Sequence, residues 1–374
     1  MTSLYLHIPF CSSKCHYCSF ASIAGYDHLH ARYCRALMRE IEMTPAALRR
    51  TLSTLFIGGG TPTVLDDLLL HQILTACADV FGFADDAEIT LESNPESLVE
   101  RDLDELRRYG VNRLSIGVQS FNTEELALLG RVHDAHQAER AVQVARRSGI
   151  DTISLDMMYG LPGQTTASWR DSLSRAIECS PEHLSIYQLS IDDKTPFFRL
   201  HRRGELHLPD EDQILAMDDI TMELCTLAGF EQYEVSNFRQ PGCGCRHNLV
   251  YWRNEEYLGC GAAAVSYLNG ERCGRIADPR SYCELIEAGT SPVFSRERLD
   301  RQASFRETVI MGLRLNEGIS DDRLDQRFGC RLQDIYGAEL DTLSADGLLY
   351  RDGVRWRLTT RGRKLANVVM RELV

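Results

Sequence analysis

Short apolar runs alternate with stretches of helical period over the first 230 residues, and this alternation limits the possible folds more than any other feature. The predicted strands are Leu4–Ile8, Thr54–Ile57, Glu88–Ser93, Arg113–Val118, Thr152–Met158 and Leu184–Leu189. The predicted helices are Leu29–Ile41, Asp67–Val80, Leu98–Tyr109, Ala135–Arg147 and Thr166–Ile177. Repeated strand–helix units indicate an α/β fold with a parallel sheet. Six units predict an incomplete (β/α)6 TIM-like barrel, short of the eight units of a complete one.

The pattern changes after residue 230. Gln232–Phe238 reads as a strand, and a Gly- and Cys-containing loop follows it. From Phe294 onward the pattern predicts three helices and then a hairpin, with a helix that ends at Gly347 and a strand at Val354–Leu358. That order is typical of a winged-helix-like α+β domain. We therefore predict a barrel over residues 1–235, a connecting segment over 236–293 and a C-terminal domain over 294–374.

Composition restricts the class of protein. The chain has 374 residues, with 41 Lys and Arg against 54 Asp and Glu, and this net charge of −13 argues against general nucleic-acid binding. No apolar run approaches the roughly 20 residues that span a bilayer, and the start lacks signal-peptide features. The thirteen cysteines suit metal binding in a reducing compartment better than disulfides. We expect a cytoplasmic protein.

Three of these cysteines, Cys11, Cys15 and Cys18, have the spacing C-x3-C-x2-C. Three thiolates so close in sequence can hold a [4Fe–4S] cluster and leave its fourth iron without a protein ligand. The alternative is a structural zinc site with His7 or His16 as the fourth ligand. Zinc sites more often pair two separate cysteine knuckles, and the sequence offers no obvious second one.

Further polar and glycine residues lie at the predicted strand ends. Three glycines in Phe56-Ile-Gly-Gly-Gly-Thr-Pro62 allow the backbone to approach a ligand closely. Polar side chains within apolar strands are costly unless they are paired or bind something. Four such side chains predict one ligand site that needs both charge signs: Glu92, Gln119, Arg131 and Asp156.

These motifs together resemble the radical S-adenosylmethionine (SAM) superfamily, and within it the oxygen-independent coproporphyrinogen III oxidase family. The resemblance rests on Ile8-Pro-Phe-Cys, Gly-Gly-Gly-Thr-Pro, Gly-Val-Gln-Ser-Phe, Leu-Gly-Arg and Asp-Met-Met-Tyr-Gly-Leu-Pro, which occur in this order. It implies a [4Fe–4S] cluster on the three cysteines and a bound SAM. By this resemblance, the SAM contacts are Tyr5, Tyr17, Gly59, Gly60, Thr61, Glu92, Gln119, Arg131 and Asp156.

Three features resemble the heme-chaperone branch of this family more than its oxidases. The oxidases have a fourth cysteine where this chain has Phe20, and an N-terminal extension where it has ten residues before Cys11. The run Cys245-Arg-His-Asn-Leu-Val-Tyr-Trp252 resembles the branch's HNxxYW motif. By this resemblance His247 is a candidate axial heme ligand, with Cys243 and Cys245 as alternatives, and Tyr251 and Trp252 pack on the porphyrin. A helical turn would place Tyr251 on the same face as His247.

The leading hypothesis is a protein that binds heme and delivers it to an acceptor, expected to be a respiratory hemoprotein that it meets through a transient membrane-protein contact. The runner-up is an enzyme that decarboxylates the propionates of coproporphyrinogen III. A third possibility is a radical SAM methyltransferase or cyclase acting on another substrate.

Overall fold

The computed structural model describes residues 2–373. Its strands follow one another along the chain as β1 (Thr2–Ile8), β2 (Phe10–Cys11), β3 (Ile23–Ala24), β4 (Leu52–Gly59), β5 (Phe83–Ser93), β6 (Arg113–Gln119), β7 (Thr152–Tyr159), β8 (His183–Gln188), β9 (Glu231–Gln232), β10 (Asn237–Arg239), β11 (Leu258–Cys260), β12 (Val265–Leu268), β13 (Glu271–Arg275), β14 (Val293–Arg298), β15 (Ile319–Ser320), β16 (Leu349–Asp352) and β17 (Arg355–Leu358).

The α-helices occupy the spaces between these strands. In chain order they are α1 (His30–Glu42), α2 (Asp67–Phe81), α3 (Pro95–Leu98), α4 (Leu103–Arg108), α5 (Thr123–Leu129), α6 (Ala135–Arg147), α7 (Thr166–Glu178), α8 (Pro196–Arg202), α9 (Glu211–Leu227), α10 (Arg246–Trp252), α11 (Pro279–Glu287), α12 (Arg301–Leu313), α13 (Asp321–Phe328), α14 (Leu332–Ala345), α15 (Thr360–Lys364) and α16 (Ala366–Glu372). None of the helices in residues 2–373 is both long enough and apolar enough to cross a bilayer.

One large sheet forms the body of the molecule, with the strand order β11-β1-β4-β5-β6-β7-β8-β10-β9. The pairs from β11 to β8 are parallel, and β10 runs antiparallel to β8. The six predicted strands are β1 and β4–β8, which confirms the α/β fold. The strands are apolar because helices cover the sheet, as parallel sheets require. The sequence did not predict β11, which adds a seventh parallel strand beside β1.

A buried polar network fixes β11 to the first helix. The Tyr33 hydroxyl donates to the carbonyl of His7 at 2.7 Å and accepts from the amide of Ala262 at 2.9 Å. The Glu40 carboxylate accepts from the amide of Gly261 at 2.8 Å and from the Arg275 guanidinium at 3.0 Å. Residues 261–275 therefore complete the packing of β1 and α1, the first long strand and the first helix of the chain.

The predicted strand Gln232–Phe238 is wrong as a single element. The structure has two short antiparallel strands there, β9 and β10, with a turn between them. The buried carboxylate of Glu234 accepts from the amide of Ser236 at 3.1 Å and from the side chain of Asn237, and these local contacts bend the chain.

The C-terminal part has its own core and forms a separate domain. Its order of α12, α13, α14 and the β16–β17 hairpin agrees with the predicted three helices and hairpin, and β15 pairs with β17. Helix α14 ends at Ala345, and Gly347 takes a left-handed φ of 68° just after it. Phe305, Leu340 and Trp356 belong to a hydrophobic cluster distinct from that of the barrel. Strand β14 spans the predicted boundary between residues 293 and 294, so the three-part division stays a prediction.

Candidate functional site

The predicted polar residues gather at the carboxyl edge of the parallel strands. Glu92 lies near the end of β5, Gln119 ends β6 and Asp156 lies within β7. Glu92 and Asp156 line one polar cavity of about 110 Å³ inside the barrel. Because all these strands run in the same direction, their ends meet at one rim, where barrel enzymes place their ligand sites.

Glu92 is partly buried, and its carboxylate faces the glycine loop after β4. Its Oε2 accepts from the amide of Gly59 at 2.9 Å. A Cβ at Gly58 would lie 2.7 Å from the Glu92 carboxyl carbon, so a larger residue there would displace this carboxylate. Burial raises the pKa of Glu92 to about 7, with a further rise from Asp156 and a partial offset from the Gly59 amide. The charged form of Glu92 is therefore disfavoured in the cavity, which suits a site for hydroxyl or cationic groups.

Asp156 is the second carboxylate in the cavity and is also partly buried. The Ser115 hydroxyl donates to its two oxygens at 2.9 and 3.2 Å. Burial raises the pKa of Asp156 to about 6, while hydrogen bonds from Ser115 and Ser185 counter part of that rise. Two acidic groups with raised pKa values in one cavity are a frequent mark of a functional site.

Gln119 and Arg131 fix the rim beyond these carboxylates. Gln119 is buried and has a left-handed φ of 69°, which is rare for a residue other than glycine and costs free energy. Arg131 donates to the carbonyl of Gly117, to Asn94 Oδ1 at 2.9 Å and to Cys15 Sγ at 3.5 Å. Its Nε is buried and has no hydrogen-bond partner among residues 2–373. An orphaned guanidinium nitrogen at this rim suits a carboxylate ligand.

The loop that carries Cys11, Cys15 and Cys18, here called the cysteine loop, lies against the glycine loop, residues 58–61. Backbone hydrogen bonds join the two. The amide of Gly60 donates to the carbonyl of Ile8 at 2.8 Å, and the amide of Thr61 donates to that of Phe10 at 2.7 Å. The Thr61 hydroxyl donates to Cys11 Sγ at 3.7 Å. Together with the contact from Arg131 to Cys15, these bonds hold the cysteine loop against the rim of the cavity.

The three thiols of Cys11, Cys15 and Cys18 are partly exposed and free. Among residues 2–373, no three His, Cys, Asp or Glu side chains converge on a single metal ion. A cubic cluster binds each cysteine to a different iron, so it does not require such convergence. Of the two candidate zinc histidines, His7 has both ring nitrogens engaged, whereas His16 has only its Nδ1 engaged. His7 hydrogen-bonds with Tyr5 at 3.0 Å and with the carbonyl of Ala21 at 2.8 Å, and His16 bonds with that of Leu128 at 2.9 Å.

Two tyrosines complete the predicted set. Tyr5 lies within the barrel wall, with its ring stacked on Phe56 at a centroid distance of 6.2 Å. Tyr17 packs against the apolar cluster that contains Leu129 and Phe197. Burial raises the pKa of both phenols, so each remains a neutral hydroxyl.

Helix α10, which carries the HNxxYW sequence, packs inside the barrel wall. His247 is fully buried, and its two ring nitrogens hydrogen-bond with Thr54 Oγ1 and Tyr251 Oη, both at 2.8 Å. Its ring stacks on Phe56 at 5.3 Å. The predicted common face of His247 and Tyr251 therefore exists. Because both nitrogens of His247 are engaged, neither has a lone pair open to iron in this arrangement.

The barrel also anchors the start of α10. The Glu88 carboxylate accepts from the amides of Arg246 and His247, both at 2.9 Å. Cys245 is buried, with its Sγ 3.5 Å from Glu88, and it lines the same cavity as Glu92 and Asp156. Trp252 lies at the other end of the helix, where the Arg314 guanidinium stands 5.9 Å from its ring. The motif thus links the cavity to the C-terminal domain.

Several cavity residues were not among the sequence-predicted site residues. They include Arg113, Ser115, His183 and Ser185. Ser115 and Ser185 are polar residues within apolar strands, so the argument that identified Asp156 would also have identified them. Asn248 lies in the cavity too, and its place follows from the fold rather than from a local pattern.

Comparison with known proteins agrees with this geometry. Residues 5–176 match the model of the radical SAM superfamily, and residues 299–365 match that of the HemN C-terminal domain. The heme chaperone HemW of Bacillus subtilis is 36% identical over 99% of this chain and 98% of its own length. HemW of Escherichia coli is 35% identical over 98% and 97%.

A solved structure with this fold belongs to the coproporphyrinogen III oxidase HemN of Escherichia coli, a radical SAM enzyme. It has a TM-score of 0.85 and 27% identity, and the match covers 99% of this chain and 89% of that one. Full-length identity above 30% to HemW proteins of several bacteria fixes the branch. The chain therefore belongs to the HemW heme chaperone family of the radical SAM superfamily.

Proposed function

We propose that this protein binds heme and delivers it to an acceptor protein, and that it carries a [4Fe–4S] cluster and SAM. The observation that carries the proposal is the 36% identity to a heme chaperone along almost the whole of both chains. Phe20 agrees with it. This residue occupies the position of the oxidases' fourth cysteine, and its side chain is 70% exposed on the cysteine loop.

Cys11, Cys15 and Cys18 would hold the cluster, and the adjoining rim would hold SAM. The backbone of Gly59, Gly60 and Thr61 offers close-approach polar groups, and Arg131 offers its unpaired nitrogen to a carboxylate. Glu92 and Asp156 suit ribose hydroxyls, while Gln119, Tyr5 and Tyr17 complete the set. When bound, the two cofactors supply one-electron redox chemistry.

The predicted heme contacts are Cys245, His247, Tyr251 and Trp252. For His247 to reach iron, α10 would have to release it from Thr54 and Tyr251, so this ligation requires a conformational change. Trp252 is partly exposed and could pack on a porphyrin as it stands. Heme contact through this helix stays a prediction.

The acceptor would be a respiratory hemoprotein, reached from the cytoplasm through a transient contact with a membrane protein. That part of the proposal rests on the family resemblance and on the negative net charge, which argues against nucleic acid as the partner.

The second candidate is oxidative decarboxylation of coproporphyrinogen III. The similarity to the HemN structure along 99% of the chain favours it. Two points weigh against it. Radical chemistry needs a site closed to water. Phe20, which is exposed, stands where the oxidases have a cysteine.

The decisive experiment reconstitutes the protein anaerobically and measures heme binding and coproporphyrinogen III turnover in parallel. We expect heme binding without turnover, and robust turnover with SAM and electrons supplied would reverse the ranking. His247→Ala should shift or lower the heme Soret band if this ring ligates iron, and Trp252→Ala should weaken binding without a spectral change. Tyr350→Ala, an exposed aromatic in the C-terminal hairpin, is the matched control.

A further inference from the structure

Asn94 is a polar residue at the rim that was not among the sequence-predicted site residues. It lies between β5 and α3 and is partly buried. The Ser97 hydroxyl accepts from the amide of Asn94 at 3.2 Å and donates to its carbonyl at 2.8 Å. The first turn of α3 therefore fixes the backbone from which the Asn94 side chain extends.

The amide group of Asn94 joins the glycine loop to Arg131. Its Nδ2 donates to Thr61 Oγ1 at 3.1 Å, and its Oδ1 accepts from the Arg131 guanidinium at 2.9 Å. The amide must have this orientation, because a guanidinium has only donors and has to meet the oxygen. The amide nitrogen then faces Thr61, whose hydroxyl accepts from it and can donate its own proton to another partner.

Each of these two partners donates to a different cysteine sulfur. The Thr61 hydroxyl donates to Cys11 Sγ at 3.7 Å, and the Arg131 guanidinium donates to Cys15 Sγ at 3.5 Å. Five side chains thus form one series of hydrogen bonds, here called the Asn94 network: Cys11, Thr61, Asn94, Arg131 and Cys15. Asn94 is at its centre, so it acts on both sulfurs through its neighbours.

Gly117 allows the Asn94 network to close. A Cβ at this position would lie 2.8 Å from an Arg131 nitrogen, 2.9 Å from Asn94 Oδ1 and 3.1 Å from the amide nitrogen of the Gln119 side chain. The Gly117 carbonyl also accepts from the same guanidinium. Because the backbone is bare at Gly117, Arg131 and Asn94 can meet beside it, and a larger residue would displace them.

Hydrogen bonds to cysteine sulfur change the redox properties of an iron–sulfur cluster. The reduced cluster carries one more negative charge than the oxidised one, so donors to its sulfurs stabilise the reduced form more. Residues that orient the groups around a metal site commonly tune that site. An amide that orients donors to two of the three cysteines is therefore placed to affect reduction.

We propose that Asn94 is a positioning residue for the cluster: it orients Thr61 and Arg131 so that each donates to a cysteine sulfur, which raises the cluster's reduction potential. The proposal rests on the [4Fe–4S] cluster of the proposed function and is independent of heme binding through α10. Reduction adds one electron from an external reductant, and no bond within the protein forms or breaks. Arg131 keeps its unpaired Nε for a SAM carboxylate.

The test titrates the anaerobically reconstituted full chain with dithionite as the reductant, without SAM. Visible absorption and electron paramagnetic resonance follow the reduced cluster. Asn94→Ala and Thr61→Val should each lower the equilibrium constant for cluster reduction about tenfold, a fall of about 59 mV for a one-electron couple. Thr61→Ser keeps the hydroxyl and should have the potential of the unaltered chain.

Ser115→Ala is the matched control for general disturbance of the rim. It also removes a hydrogen-bonding side chain, but the Ser115 hydroxyl donates to Asp156 and lies outside the Asn94 network. Its potential should equal that of the unaltered chain. Thr61→Val nearly preserves the shape of threonine, so this variant decides the question if Asn94→Ala fails to hold a cluster.

The outcomes separate this inference from the proposed function. If the unaltered chain takes up no iron and sulfide, the proposed cluster falls and this inference falls with it. If either Asn94→Ala or Thr61→Val holds a cluster with the unaltered potential, or if Ser115→Ala shows an equal fall, only the inference is overturned. Lower potentials in the variants that hold a cluster, with both Thr61→Ser and Ser115→Ala unchanged, support it.

Discussion

The carboxyl rim of the barrel and helix α10 differ in how fully their polar groups are satisfied. At the rim, Glu92 and Asp156 have raised pKa values although each accepts hydrogen bonds, and the buried Nε of Arg131 has no partner in residues 2–373. At α10, both nitrogens of His247 have partners, and both carboxylate oxygens of Glu88 on β5 accept from the first amides of the helix. A buried polar group without a hydrogen-bond partner indicates a place where a ligand can bind. A group whose partners are all within the protein indicates a structural role. The rim is therefore prepared for a cofactor, and α10 in this form is part of the barrel wall.

The largest expected effect concerns the cysteine loop. Serine at Cys11, Cys15 or Cys18 should abolish the brown [4Fe–4S] chromophore after anaerobic reconstitution, since each thiolate holds one iron of about four per chain. Iron and sulfide analysis with visible absorption measures this loss. Cys34→Ser and Cys77→Ser are controls, because these thiols are buried in the core. A full cluster in the triple variant would show that other residues are the ligands.

The next effect tests whether His247 is a wall residue. His247→Ala should lower the free energy of unfolding by about 2–4 kcal/mol, because it leaves a cavity and two buried hydroxyls without partners. Tyr251→Phe removes only one hydrogen bond and should cost about 1 kcal/mol. Urea unfolding of heme-free protein measures both changes. If His247→Ala were as stable as the unaltered chain, His247 would not have a structural role in the barrel wall, and the contrast between α10 and the rim would be wrong.

The contact between the glycine loop and the cysteine loop gives a smaller effect. A Cβ at Gly60 would collide with the carbonyl oxygens of Phe10 and Ile8, which are backbone atoms and cannot move aside easily. Gly60→Ala should therefore destabilise the protein by about 1–3 kcal/mol and reduce cluster occupancy. Gly337→Ala is the control, since its Cβ meets nothing within 4 Å and the position is helical. Equal thermal unfolding midpoints for the two variants would contradict the clash.

Loss of either rim carboxylate should weaken SAM binding while the cluster persists. Glu92→Ala and Asp156→Ala should each raise the dissociation constant at least tenfold, or about 1.4 kcal/mol, because each removes a charge-assisted contact. Equilibrium dialysis on folded, reconstituted protein gives the affinity. Unchanged affinity in both variants would move the SAM site away from this cavity.

The same carboxylates give the cofactor-free protein a pH-dependent stability. Their pKa values are about 7 for Glu92 and about 6 for Asp156, both above the ordinary range, so the folded state binds more protons than the unfolded state in mildly acidic solution. Their contribution to the free energy of unfolding should therefore fall as pH rises from about 4.5 to about 7, and level above that. Urea unfolding across this interval measures the slope. Glu92→Gln should flatten it, and an unaltered slope in this variant would assign the effect to other groups.

Local signals explain which parts of the fold were predictable. Helix α6 matches its predicted bounds because a capping box at Asp134 and Gln137 starts it and its apolar face has a clear period. Strand β11 was missed because its three residues, Leu258–Cys260, have no period, and only pairing with β1 defines them. Glu92 and Asp156 were predictable as polar residues in apolar strands. The burial of His247 was not, since its partners Thr54 and Glu88 are distant in sequence.

The pairing of β1 with β11 has a consequence for how the chain matures during synthesis. The cysteine loop lies between β1 and α1, yet the packing of both depends on Gly261, Ala262 and Arg275. A ribosome produces those residues only after most of the barrel has emerged, and contacts between distant segments form late. One edge of β1 can thus pair with β4 early, while its other edge stays without β11 until those residues are made. The loop that would carry the iron–sulfur cluster therefore lies between a strand and a helix that gain their last packing partners only after most of the barrel has been synthesised.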